Sequence, residues 1–108
     1  MANSFKNNFS KSVGTSVTTV YLAGTGVQAT VIGMTVSNIT AGNVLADVII
    51  NSGGTDYYIV KDTTIEPGSA LVPVGGDQKL VLESGDFLRV KSNTNNSLDV
   101  VVSVLEIT

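Results

Sequence analysis

The feature that most constrains this chain is a β-branched alternation running almost its whole length, cut at short intervals by glycine. In residues 98–107 (LDVVVSVLEI), Leu98, Val100, Val102 and Val104 occupy every second position. Successive side chains of an extended strand point to opposite faces, so such a run lays an apolar row along one side. Valine, isoleucine and threonine suit a pleated surface because branching at Cβ restricts χ1. No stretch carries an apolar stripe at 3.6-residue spacing, and Ala, Glu and Lys are too scattered to sustain a helix. An all-β fold is expected.

The pattern predicts strands over residues 16–23, 28–39, 44–51, 55–61, 70–74, 78–82, 87–91 and 98–107. Turn chemistry separates them. Gly24-Thr25-Gly26, Thr40-Ala41-Gly42-Asn43, Ser52-Gly53-Gly54, Pro67-Gly68, Gly75-Gly76-Asp77 and Glu83-Ser84-Gly85-Asp86 all carry residues that accept turn dihedrals. Gly53-Gly54 reads as a hairpin, since consecutive glycines tolerate positive φ. Pro73 lacks an N–H and confines its strand to an edge or an end. In residues 28–39, Ile32, Met34 and Val36 are expected on one face, with Gly33 opposite them marking a bulge or a close backbone approach. In residues 44–51, Val44, Ala46, Val48 and Ile50 are expected on the core face, with Leu45 and Ile49 flanking Asp47 on the other. About eight strands at short, regular spacing make a single β-sandwich over residues 13–108, jelly-roll or immunoglobulin-like, preceded by an N-terminal arm over residues 1–12.

Composition narrows the function. The 108 residues include no Cys, no His and no Trp. Disulfides, thiolate nucleophiles, cysteine zinc sites and histidine bases are therefore excluded, and with them any Ser-His-Asp or Cys-His arrangement. Nine carboxylates remain, but a two-carboxylate site ordinarily needs a deep cleft on a larger scaffold. The chain is expected not to be an enzyme and to need no cofactor or metal. A net charge of −3, with Arg89 and Lys91 sharing their strand with Asp86, leaves no electrostatic track for nucleic acid. Mean hydropathy is high at +0.31, yet no run approaches the ~18 apolar residues of a membrane span. The polar N-terminus is not expected to be a signal peptide. Greasy strands with few charges point either to apolar surface covered by a partner or to the Val and Ile content that raises hydropathy in any sandwich.

Individual motifs mostly reduce to structure. Gly24-Thr25-Gly26-Val27-Gln28-Ala29 fits G-x-G-x-x-A, but the fingerprint requires a helix after it, and a β run follows. Asp77, Glu83 and Asp86 sit at turns without calcium-loop spacing and are expected to be solvated. Asn8, Asn38 and Asn95 open glycosylation triplets that are expected to go unused, since no secretory leader is expected. Three features point outward. Phe5 and Phe9 lie four apart in a polar segment, which suggests an arm that docks on a neighbouring subunit or else a first strand joining the sheet edge. On the last strand Val101 and Leu105 oppose the inner row, and a strand apolar on both faces is usually covered on both. Tyr57 and Tyr58 are adjacent and face opposite ways, one expected in the core and one exposed, the exposed ring offering a contact for a protein or a glycan.

Residues 13–21 (VGTSVTTVY), 53–61 (GGTDYYIVK), 72–82 (VPVGGDQKLVL) and 102–107 (VSVLEI) together resemble a family of small virion structural proteins of tailed bacteriophages, including marine and cyanobacterial phages. The resemblance spans nearly the whole chain. It implies a virion location and a part made of protein–protein contacts: a capsid decoration or cement protein, or a neck, tail or fibre component. The implied partners are copies of the chain itself and other virion proteins such as the major capsid protein or neck and tail components. Residue by residue it transfers no catalytic position. The expected subunit interface is Phe5, Phe9, Val101 and Leu105; Tyr57 and Tyr58 are the alternative, as the contacts of a glycan-binding adhesion module.

Overall fold

The computed structural model describes residues 3–75 and 78–108. Nine strands and no helix are present among them: β1 (Asn3–Val13), β2 (Thr18–Leu22), β3 (Gln28–Asn38), β4 (Val44–Ser52), β5 (Thr55–Ile65), β6 (Ala70–Val74), β7 (Leu80–Leu82), β8 (Phe87–Ser92) and β9 (Leu98–Ile107). They form two antiparallel sheets. One runs β1-β9-β3-β6, with β7 also on β3; the other runs β2-β8-β4-β5. The pairings β4 with β5, β3 with β6 and β7, β2 with β8, and β1 with β9 are nested like one long hairpin wound into two layers. That nesting is the jelly-roll topology, which decides between the two expected sandwiches.

The core lies between the layers and is made by strict alternation. Leu98, Val100, Val102 and Val104 of β9 are buried, facing Val48 of β4 and Leu88 and Val90 of β8 in one cluster. Met34 and Val36 join it from β3. Three turns behave as their residues dictate. Gly53 and Gly54 hold φ of 61° and 84° in the two-residue β4–β5 hairpin. At Pro67-Gly68, Gly68 takes φ 73° and the Ser69 N–H donates to the Glu66 carbonyl at 3.0 Å. Residues 24–27 close a turn, Val27 N–H donating to the Gly24 carbonyl at 3.0 Å, and β3 follows directly; no helix N-terminus awaits a pyrophosphate there. Pro73 lies in β6, at the end of its sheet. The turn expected at Gly75-Gly76-Asp77 falls partly outside the described residues, as does Asp77.

Bulges change several expected faces. In β3 the register shifts between Val31 and Gly33, so Ala29 and Val31 are buried, Ile32 is only partly so, and the inner row resumes at Met34. A bulge between Thr19 and Tyr21 buries both Val20 and Tyr21. In β5, Asp62 takes φ 49°, and its N–H donates to the Asp47 carboxylate at 2.7 Å. Aspartate tolerates that left-handed conformation better than most residues, and the Asp47 bond fixes it. Ile49 is 2% exposed although it belongs to the outer face of its sheet, where it lies in register with Tyr58 and Arg89.

The N-terminal segment corrects an expectation. Residues 3–13 do not form a free arm. They make an eleven-residue strand paired with β9 from Asn3↔Ile107 to Val13↔Leu98. The physical reason is the ladder: β9 would otherwise end the sheet with a row of unpaired N–H and C=O groups, and β1 satisfies them.

Candidate interaction surface

β1 is amphipathic in the direction opposite to the other strands. Its even-numbered residues face the inter-sheet side, and they are polar: Ser4, Lys6, Asn8 and Ser10. There they make polar bonds. The Asn8 side-chain amide donates to the Val20 carbonyl at 3.5 Å, and Lys6 Nζ lies 3.0 Å from Glu106 Oε1. Its odd-numbered residues from Asn3 to Lys11, Phe5 and Phe9 among them, face outward, and past the bulge between Ser10 and Val13 the strand turns Val13 into the core. Phe5 is 76% and Phe9 73% exposed.

Register then assembles the outer face. Phe5 stands opposite Leu105, Leu105 opposite Thr30, and Thr30 opposite Val81. One row along, Phe9 stands opposite Val101 and Val101 opposite Thr35. Between these two rows runs a polar one, Asn7 opposite Ser103 opposite Gly33, where the Ser103 hydroxyl donates to the Asn7 side-chain oxygen at 2.6 Å. The four residues expected at the interface are thus brought onto one face of two adjacent strands. Phe5, Phe9 and Val101 are exposed, and Leu105 is half-buried between its neighbours. Val81, 59% exposed, extends the Phe5 row to the far edge, and Val72, 60% exposed, adds to the same side of the chain at β6. Both escaped the sequence reading, although Val81 is the outward member of a Leu-Val-Leu alternation and so carried a legible signal.

One end of β1 is held by an ionic and hydrogen-bonded hub that joins the two layers. The Tyr21 hydroxyl of β2 donates to Glu106 Oε2 of β9 at 2.5 Å, while Lys6 of β1 pairs with Oε1. The bond from Tyr21, then that from Lys6, holds the Glu106 carboxyl below its ordinary range. Burial, and then the adjacent carboxylate, push the Tyr21 phenol up. No sequence signal marked this hub, because Tyr21 and Glu106 lie 85 residues apart.

The remaining candidates do not assemble. Tyr57 and Tyr58 are both exposed, at 56% and 50%. The expectation that one would be core fails because they lie on the edge strand close to the hairpin tip. They pair with Ile50 and Ile49 respectively, so their rings belong to opposite faces and form no common platform. Lys61 Nζ sits 5.0 Å from the centre of the Tyr58 ring. The Asp86 carboxylate accepts the Glu83 N–H at 3.0 Å, a structural turn bond. Asn38 is 3% exposed, and its amide donates to the Gly42 and Ile65 carbonyls at 2.8 Å each, so it is built into the fold. Among the described residues, two shallow depressions lie near the candidates. One of ≈ 240 Å³ lies beside Phe9 and Val101 and includes Lys11 and Asp99. The other, of ≈ 300 Å³, lies between residues 11–16 and Asn95–Asn96 and gathers hydroxyls and amides without a carboxylate.

Comparison with known proteins finds no matching family model. No curated protein matches in sequence. Among solved structures, the chain is similar to a pentameric capsid protein isolated from metagenomic phage sequences, with TM-score 0.42, 18% identity, and coverage of 94% of this chain and 59% of that one. A second structure of a pentameric capsid protein from metagenomic phage sequences gives TM-score 0.37 at 15% identity, covering 94% and 60%. The structure of infectious bursal disease virus, Gt strain, gives TM-score 0.46 at 10% identity, covering 95% and 30%. This chain spans less than two thirds of the length of each. At these scores and identities the likenesses are too loose to establish a common role.

Proposed function

We propose that the chain is a non-catalytic structural subunit of a tailed-phage particle, acting through protein–protein contacts as a decoration or cement protein on the head. The observation that carries this reading is the outward apolar face of β1 and β9, where Phe5 and Phe9 stand about three-quarters exposed beside Val101 and Leu105. Two phenyl rings held outward on a rigid ladder cost hydration free energy in an isolated molecule, and contiguous exposed apolar surface marks contact sites. Each ring offers roughly 150–250 Å² for burial. The extended resemblance of the sequence to small tailed-phage virion proteins supplies the context. The jelly roll is compatible with it but hosts capsid and lectin domains alike, so the fold does not choose the role.

In this reading the sandwich is a rigid body, and repeated weak contacts to its own copies and to the major capsid protein are multiplied by the symmetry of the shell. A neck, tail or fibre subunit would use the same surface at lower copy number. Quantitative mass spectrometry of purified particles tests the reading. A ratio to the major capsid protein near one, or a simple fraction such as one third, supports decoration. A ratio of a few per cent moves the chain to the neck, tail or fibres, and complete absence from particles refutes a virion role.

A further inference from the structure

β1 ends its sheet, and its second edge has no strand partner among the described residues. Long, exposed edges are templates for pairing with another chain. Natural proteins usually blunt them with lysines and bulges among other devices, and β1 has Lys6, Lys11 and a bulge between Ser10 and Val13; its regular ladder still runs from Asn3 to Ser10 and carries two outward phenylalanines. The question is which strand would fit it, and the sequence of β1 contains an answer. Read outward from Asn7, the residues are Lys6 and Asn8, then Phe5 and Phe9, then Ser4 and Ser10. The segment is nearly palindromic. A palindromic strand matters for one geometry above all: antiparallel pairing of two identical strands about a two-fold axis, in which each residue meets its mirror position.

We infer that two copies of the chain pair through their β1 edges, antiparallel, on a two-fold axis passing at Asn7, to make one continuous sheet across the dimer. This deepens the reading above, resting on it only in taking the β1 side as a contact surface. The register puts Phe5 against Phe9 of the second copy, twice, and Ser4 against Ser10, twice. All four rings then share the outer face, and each apolar row runs on from one copy into the next: Leu105–Phe5 into Phe9–Val101. Lys6 meets Asn8, and Lys11 meets Asn3, so no like charges stand directly opposite. The two Lys6 groups are diagonal neighbours, and each is already paired with its own Glu106. Other registers fit worse. Sliding by two residues toward the N-terminus sets Lys6 directly against Lys6, a destabilising pair. Sliding the other way sets Phe9 against Asn7 and Phe5 against Lys11. A slip of one residue puts the rings of one copy on the polar side of the other.

The absence of cysteine makes the test clean. Opposed residues of an antiparallel pair have Cα atoms about 4.5–5.5 Å apart, within the ~4.4–6.8 Å range of a disulfide. Asn7→Cys alone should therefore cross-link as a homodimer under mild oxidation. Ser4→Cys should cross-link when mixed with Ser10→Cys, and not with itself, because like positions lie about 20 Å apart along the strands. Thr64→Cys, on the opposite sheet, is the control and should form no disulfide cross-link. Sedimentation of the unmodified chain should show a concentration-dependent dimer, lost in the Phe5→Asp/Phe9→Asp variant while its far-ultraviolet circular dichroism is unchanged. Three results overturn the inference: a monomer at all accessible concentrations, Asn7→Cys no more reactive than Thr64→Cys, or Ser4→Cys homodimers as abundant as the Ser4/Ser10 mixture. Those results would leave the virion reading standing if the chain is present in particles. A dimer with the predicted cross-links, from a chain absent from particles, would refute the virion role and keep the pairing.

Discussion

Tyr21→Phe removes one oxygen atom from a side chain that is 3% exposed. That oxygen donates to Glu106 Oε2 at 2.5 Å. A hydrogen bond to a charged group contributes about 1.5–3 kcal/mol net. The carboxylate is not orphaned by the change, since Lys6 still lies 3.0 Å from its other oxygen. Lys6 is 56% exposed on its side chain, so solvent screens that pair and it adds little. The expected loss at pH 7 is therefore about 2 kcal/mol, or on the order of 8 °C in Tm for a domain of this size. The pH dependence sharpens the test. Glu106 has a lowered pKa in the folded chain, and its bond with Tyr21 is the largest cause. A lowered folded value means stability that is present above the ordinary carboxylate range and is lost as pH falls through the folded value. In Tyr21→Phe that largest cause is gone. The gap between the two proteins should close to under about 1 kcal/mol once the pH has fallen through the folded value of Glu106, where its protonated carboxyl leaves only a neutral hydrogen bond to lose. At the alkaline end the sign reverses in origin. The Tyr21 phenol is raised on folding, so its contribution is complete below about pH 10 and declines above it, a decline the variant should lack. Urea denaturation followed by circular dichroism along an acid series, at pH 7 and at pH 10.5 measures all three. A gap under about 0.5 kcal/mol at pH 7, or one that does not shrink as the pH falls along the acid series, would refute the account of the hub.

Four further outcomes are expected. Val102→Ala should cost about 2 kcal/mol, because Val102 is 0% exposed, whereas Val101→Ala next to it should cost under about 1 kcal/mol; equal losses in urea titrations would contradict the face assignment. Asn38→Ala should cost about 2–3 kcal/mol, since it removes the side-chain donor to the Ile65 carbonyl, one of two donors to the Gly42 carbonyl and the side-chain acceptor of the Thr40 N–H, as thermal unfolding would show. Gly54→Ala places a Cβ at φ 84° in the hairpin turn and should cost about 1 kcal/mol, while Gly53→Asn should be nearly neutral, both read from urea midpoints. Phe5→Asp/Phe9→Asp should change stability by no more than about 0.5 kcal/mol, given the exposure of both rings, yet abolish incorporation into particles in an infection complementation assay.

Local chemistry wrote much of this molecule into its sequence. The alternation of β9, the Gly53-Gly54 hairpin, the Pro67-Gly68 turn and the edge position of Pro73 each depend on residues within a few positions of one another, and each appears where the pattern places it. The outward placement of Val101 and Leu105 follows from the same two-residue period. Tertiary structure decided the rest. Phe5 and Phe9 were conspicuous in the sequence, but whether they lay on a free arm or in a ladder depended on β9, about a hundred residues away, having an edge to satisfy. The bulges at Ile32 and Val20 moved residues between faces because register is a property of paired strands, not of either one. The jelly-roll nesting and the Tyr21–Glu106–Lys6 hub likewise join positions far apart in the chain. A period of two tells each strand which side is apolar; only the packing of two sheets determines which strands become neighbours, and so which polar groups find partners and which aromatic rings remain facing water.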